Sequence, residues 1–254
     1  MIERLRDKIN LIHSEHQIPL SDLRVFQKEL ENWIDFPKLI RQTQIDILRG
    51  LKVQNGIEPI KLERSFVVHP RLIMVDERIP TLCWHLYKRP DGRLLACGGV
   101  RHKRSACPPY APSPDKTRIA LDESRAVVVI QAGGLSEYDQ QRQLHRTLLS
   151  IEKQLEENAF NVIHSWSVGP CRICEPENEC LGEGKCREPK FRRFSMEGSG
   201  MGVFLTCDRI AELTGDNFWR LELIDNWELN NQTSKMFKSV VAIAVGLRPQ
   251  LDSI

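Results

Sequence analysis

The sequence has almost no charge of either sign to spare: 36 Lys and Arg stand against 34 Asp and Glu, a formal balance of +2. Near-neutrality withholds the electrostatic footprint that nucleic acids and anionic membranes ask of a partner, so neither is expected. Long apolar runs are missing as well. The longest, Val127 to Ile130 and Val240 to Leu247, are too short to cross a bilayer, and mean hydropathy is −0.35. The opening stretch MIERLRDKIN is charged and helical in pattern, unlike a secretory signal, and the chain reads as cytoplasmic. Three catalytic signatures are absent: G-x-x-x-x-G-K-[ST], H-E-x-x-H and G-x-S-x-G. The glycine-rich stretch Ser195 to Phe204 lacks both a preceding strand and the G-x-G-x-x-G spacing of a dinucleotide fingerprint, and reads as close packing at a helix start.

What is present suffices for a large core: 254 residues, of which 41% are hydrophobic. The first fifty residues carry three helical patterns. These are Ile2, Leu5, Ile9 and Ile12; then Leu23, Phe26, Leu30 and Trp33 behind Ser21 as N-cap; then Ile40, Ile47, Leu48 and Leu51, starting near Asp35 and Pro37. Eleven basic and ten acidic residues over positions 1–65 argue against a DNA-binding module and for packing onto the core or docking a partner. Short strand patterns follow at Ser65 to His69, Leu72 to Val75 and Leu82 to Tyr87, closed by the turn signal Arg89-Pro90-Asp91-Gly92. A strand at Ala126 to Ile130, a helix from Glu137 to Asn158 and a strand at Val162 to Val168 make a crossover unit with parallel strands. A helix from Met196 to Leu213 and strands at Phe218 to Ile224 and Lys238 to Gly246, the last apolar enough to be central, complete the pattern. The expected class is α/β (mixed α+β). A helical extension over 1–58 precedes a cysteine-rich metal-binding domain over 59–254, built on a mixed sheet with flanking helices.

Eight cysteines are the unusual number, because Cys171, Cys174, Cys180 and Cys186 fall within sixteen residues. In a reducing compartment such a cluster points to a metal site before disulfides. The spacing C-x2-C-x5-C-x5-C, on a loop marked by Gly169, Pro170, Gly182, Gly184 and Pro189, holds one tight knuckle where a structural zinc site usually shows two. An iron–sulfur cube is larger than an ion and accepts uneven spacing, though this one matches no ferredoxin pattern. A [4Fe-4S] cluster, zinc, and free or paired thiols are the open alternatives. Arg172, Lys185, Arg187, Lys190, Arg192 and Arg193 lie in or beyond the loop, nearly cancelled by Glu175, Glu177, Glu179, Glu183 and Glu188.

A second loop runs from Cys97 through Cys107 to Pro114, stiffened by Pro108, Pro109, Pro112 and Pro114. Between Arg101 and Arg118 it carries five Lys or Arg against Asp115. It reads as a basic lid, as a second metal site using Cys97, Cys107 and a third group such as Cys83, His85 or His102, or as a structural loop with buried thiols. Cys83 and Cys207 sit among apolar neighbours and read as core residues. His164 shares a strand face with Val162, Trp166 and Val168, pointing at the site or satisfied in the core.

Cys107-Pro108-Pro109-Tyr110, then Gly169 to Cys174 (GPCRIC), Cys186 to Pro189 (CREP) and Arg192 to Val203 (RRFSMEGSGMGV), together resemble an uncharacterised family of predicted metal-binding proteins over roughly residues 65–246. The resemblance implies metal or iron–sulfur binding and assigns no reaction. It places ligand cysteines at Cys171, Cys174, Cys180 and Cys186, with Cys107 as a further candidate and Arg193, Ser195, Met196 and Glu197 as motif residues. Where relatives often have Ala after SME and an Ile-Asp pair before the Val, this chain has Gly198, Met201 and Gly202. The leading expectation is one [4Fe-4S] cluster on the four loop cysteines, passing single electrons to or from a redox partner such as a ferredoxin. Were one cysteine not a ligand, an open iron would act as a Lewis acid on a small anionic substrate held by Arg101, Lys103 and Arg104. A zinc-stabilised module that docks partners through its helical extension is the third reading.

Overall fold

Two runs of β-branched residues form the centre of the fold, and both are buried on both faces. The computed structural model describes residues 2–33, 61–88, 94–133, 138–157, 160–174, 180–221 and 238–247. Its elements begin with helices α1 (Ile2–Glu15) and α2 (Leu20–Trp33), then strand β1 (Lys61–Val68), a short helix α3 (Ile79–Leu82), a hairpin pair β2 (Tyr87–Lys88) and β3 (Leu94–Leu95), and the turn-length helix α4 (Gly98–Arg101). Helix α5 (Pro114–Asp122), β4 (Ala126–Gly133), α6 (Tyr138–Glu157), β5 (Phe160–Ser167), β6 (Phe194–Ser195), α7 (Val203–Thr214) and β7 (Lys238–Leu247) follow.

The sheet is five-stranded in the order β1-β4-β7-β5-β6. Strands β4 and β5 each run antiparallel to β7, so they are parallel to one another as the crossover pattern requires, with β7 inserted between them. The β5–β6 pair is parallel, which makes the sheet mixed, and β7 is its central strand. On one face, Leu144, Leu148, Ile151 and Leu155 of α6 recur at helical spacing and bury against Val128, Ile130, Val241 and Ile243. On the other face, Val127, Val129, Ala242 and Ala244 meet Leu23 of α2 and Cys207, Ile210 and Ala211 of α7. Helices cover both faces, which is why these strands read as unbroken apolar runs rather than alternating ones.

The first two expected helices form and pack onto this core. Ile12 of α1 joins Met74, Ile79 and Leu205, and Gln27 of α2 donates to the Val67 carbonyl at 2.9 Å. Ser21 is not the cap of α2. The helix begins at Leu20, the carbonyl of Pro19 accepts from Asp22 and Leu23, and the Ser21 hydroxyl turns to Asp22 instead. The third expected helix lies outside the described residues.

Four further expectations are corrected. Leu72 to Val75 is not a strand: Pro70 fixes the first residue of a 3-10 turn, Pro70–Leu72, whose Arg71 N–H is capped by the His69 ring, and Val75 alone bridges to Met201. Leu82 to Tyr87 begins as the end of α3, where Pro80 favours a first helical turn, and becomes strand only at Tyr87. The Met196 helix starts instead at Val203, because Glu197–Ser199 form a 3-10 turn ended by Gly200 at φ +88°. Phe218 and Trp219 are not strand: they belong to a 3-10 turn, Asn217–Trp219, capped by the Asp216 carboxylate, and residues 222–224 lie outside the described residues. The turn signal at 89–92 also lies outside them, but β2 and β3, which it would join, pair antiparallel. Among the described residues no helix is long and apolar enough to cross a membrane.

Candidate metal centre

The cysteine loop leaves the sheet at the end of β5 and returns as β6, which pairs parallel to β5 through Trp166 and Phe194. Both ends of the loop are therefore tied to one strand. Gly169, at φ +55°, turns the chain out of β5. At the other end, the Arg193 guanidinium grips Glu152 of α6 through Nε and Nη2 and donates from Nη1 to the carbonyls of Lys190 and Arg192, while the Ser165 hydroxyl donates to Glu152 at 2.5 Å. Arg172 donates to Gln141 of α6 at 2.7 Å. The basic residues nearest the quartet are thus largely loop anchors.

Between these anchors the thiols already meet hydrogen-bond donors. The backbone N–H groups of Ile173 and Arg193 point at the Cys171 sulfur, although burial outweighs them and holds that thiol above its ordinary value. Burial also acts upward on Cys180. There the N–H groups of Ser105 and Gly182, the Ser105 hydroxyl at 3.8 Å and the charge of Arg104 prevail, so its thiol lies below the ordinary value. Cys174 is pushed up by burial and then by the charges of Cys171, Cys186 and Cys180, so all four thiols stand within reach of one another's field. Among the described residues no three His, Cys, Asp or Glu side chains stand close enough together to hold a single metal ion.

The two motif loops fold onto each other. Lys103 carbonyl accepts from Glu183 N–H at 2.8 Å, Arg192 donates to the carbonyls of Ser105 and Gly184, and Gly184, at φ +78°, lies where any side chain would press on the Tyr110 ring. Tyr110 of the CPPY motif therefore packs on the quartet loop. Of the basic residues of the lid, Lys103 pairs with Glu183 at 2.8 Å, Arg101 turns to His102, and the charge of Arg104 acts on Cys180.

The motif residues Arg193, Ser195, Met196 and Glu197 separate into distinct tasks. Arg193 anchors the loop, Met196 is fully buried in the core, and Ser195 links the second loop through its N–H to the Ala106 carbonyl and its hydroxyl to the Cys107 sulfur. Glu197 lines a cavity of about 350 Å³ together with Cys83, Cys97 and Cys107. Cys207 is a core residue as expected. Cys83 is not, since it lines that cavity; its apolar neighbours in sequence are cavity wall. Glu197 carried no signal of its own beyond its place in the motif, and helix α1, which brings Ile9 and His13 to the same cavity, carried none.

His164 does not share a face with Val162. A bulge sets Val162 and His164 opposite consecutive residues of β7, so Val162 packs under α6 while Ile163 and Trp166 face the other cluster. The His164 ring lies between Trp166 and Phe194, with centroids at 4.6 and 6.0 Å, and burial and then Arg193 lower its pKa to about 4. It is a neutral packing residue. The glycine-rich stretch does follow a strand, the two-residue β6, but the 3-10 turn intervenes before α7, so no helix N-terminus faces that strand.

No curated protein and no solved structure matches the chain. The model of one family does, and it spans both motif loops, the four loop cysteines, Cys97, Cys107 and Glu197, leaving Cys83 and the N-terminal helices outside. Residues 94–216 match the family described as "Predicted metal-binding protein (DUF2284)", in agreement with the resemblance that the motifs carry, and the domain that they form is a predicted metal-binding one.

Proposed function

We propose that Cys171, Cys174, Cys180 and Cys186 hold one [4Fe-4S] cluster and that the protein transfers electrons through it. The observation that supports this reading is the set of N–H and O–H donors already aimed at two of the sulfurs. Such donors offset the negative charge of a thiolate-ligated centre and tune its potential. The donor set is all thiolate, which selects soft centres, iron–sulfur or zinc, over hard cations. A four-thiolate zinc site draws its sulfurs to about 3.8 Å from one another, given Zn–S bonds of about 2.3 Å. The Cys174 thiol feels the charge of the other three, as the ligands of one shared centre would.

When bound, the cluster would supply a one-electron couple. The chain's own part is to hold four sulfurs and aim hydrogen-bond donors at them. Arg193 and Arg172 hold the loop to α6, Ser105 and Gly182 donate to Cys180, and Tyr110 seals the loop from the second motif. The exposed side chains of Leu181 and Phe191 border the loop and would give a redox partner such as a ferredoxin an apolar rim to dock on. The test is anaerobic purification with iron, sulfide and zinc assays and a visible spectrum, on the parent and on single Cys→Ser variants of the four. A brown protein whose broad band bleaches on reduction, lost in the variants, is the expected result. A colourless protein carrying one zinc ion would refute the reading.

A further inference from the structure

Three cysteines from separate segments line the cavity beside the quartet, and none of them belongs to the quartet. Cys97 N–H donates to the Cys83 carbonyl at 3.3 Å, which ties the two cysteine backbones together. The Cys107 sulfur lies flat against Gly99, where a Cβ would run into it, and Ser195 donates to it from the other side. Glu197 shares the cavity, its carboxyl accepting its own backbone N–H, with no salt-bridge partner among the described residues. Most of the remaining lining is apolar, including Ile9, Ile79, Leu82, Val100 and Phe204.

Burial acts on three of these acids, Cys83, Cys107 and Glu197, in one direction. It pushes the Cys83 and Glu197 groups well up and the Cys107 thiol up to about 12, and the neighbouring charges of Cys97 and Glu197 add to it. Three sulfur donors favour a soft metal. The cavity that Cys83, Cys97, Cys107 and Glu197 line has a volume of about 350 Å³, room for an occupant several atoms wide.

We propose that this cavity is a second inorganic centre, in which Cys83, Cys97 and Cys107 hold three corners of an iron–sulfur cube and Glu197 faces the fourth. It shares no ligand with the loop quartet, so it stands or falls separately. Gly169 lines the cavity and Cys171 lies two residues further on, at most about 7 Å along the chain. The two centres are therefore neighbours, placed to exchange an electron. Cys97, Cys107 and Glu197 lie within the matched segment and Cys83 lies outside it.

The experiment uses the full chain, purified anaerobically and reconstituted with iron and sulfide. Iron and sulfide are counted, and EPR spectra recorded, for the parent, for Cys83→Ala/Cys97→Ala/Cys107→Ala, and for the quartet replaced by Ser. Each multiple variant is expected to lose about four irons and to keep the other set's EPR signal. Glu197→Gln is expected to keep its iron and change only the cavity centre's signal. A cavity variant that retains all of the parent's iron overturns this inference and leaves the quartet reading intact; the converse result removes the quartet and leaves this one. Should the triple variant not fold, Gly99→Ala carries the test with every ligand present: its methyl group displaces the Cys107 sulfur, and full iron retention there overturns the inference as well.

Discussion

Replacing Arg193 by Met should destabilise the protein far more than a surface cation would. Arg193 and Glu152 have side chains 19% and 8% exposed, and Glu152 is otherwise met by the Ser165 hydroxyl. Removing the guanidinium strands a carboxylate in the layer between β5 and α6. Breaking a buried pair in this way typically costs about 3–5 kcal/mol; residual exposure of Arg193 brings the expectation to about 2–3 kcal/mol. For a domain of this size that corresponds to a fall in Tm of about 4–12 °C. Removing both charges, Arg193→Met with Glu152→Leu, leaves no stranded group and should recover more than half of the loss. Urea unfolding of the parent, both singles and the double gives the coupling energy directly. A coupling below about 0.5 kcal/mol would mean that the two residues act independently, and the anchoring role would be wrong.

Ser105→Ala removes a hydroxyl donor from Cys180, so a cluster bound there should be harder to reduce; a redox titration that shows an unchanged or more positive potential contradicts the assignment. His164 has a folded pKa of about 4 against an ordinary 6.5. Its neutral form is favoured by the fold, so its contribution is complete above pH 6.5 and is lost as pH falls from there towards 4. His164→Phe should therefore flatten the stability profile in that window, as measured by chemical denaturation at several pH values, and an unaltered slope would count against it. Leu148→Ala, at a fully buried position of α6, should cost about 3–4 kcal/mol, and a loss under about 1 kcal/mol would mean that α6 does not rest on the sheet as described.

Much of the architecture was legible because its cause is local. Ala126 to Ile130 reads as a buried strand and Lys238 to Gly246 as a central one because both faces must be apolar under two helical layers, and α6 reads as a helix because its leucines recur at the spacing of one face. Elements governed by a proline or a turn were misread. Pro70, Pro80 and Gly200 impose backbone angles that override the apolar pattern of their neighbours. The bulge before His164 was invisible for a related reason: an extra residue in one strand is a property of the pair, and β7 lies far along the chain.

The spacing of the quartet needed only the sequence: four thiols on sixteen residues of glycine-marked loop. What the sequence could not carry is the company they keep. The donors to Cys180 come from Ser105, the grip on the loop comes from Glu152, and the cavity that gathers Cys83, Cys97, Cys107 and Glu197 is walled by helices at both ends of the chain. Those contacts join residues dozens to hundreds of positions apart. Only the closing of the sheet, the packing of α7 on it and the placement of α1 at the cavity bring them together.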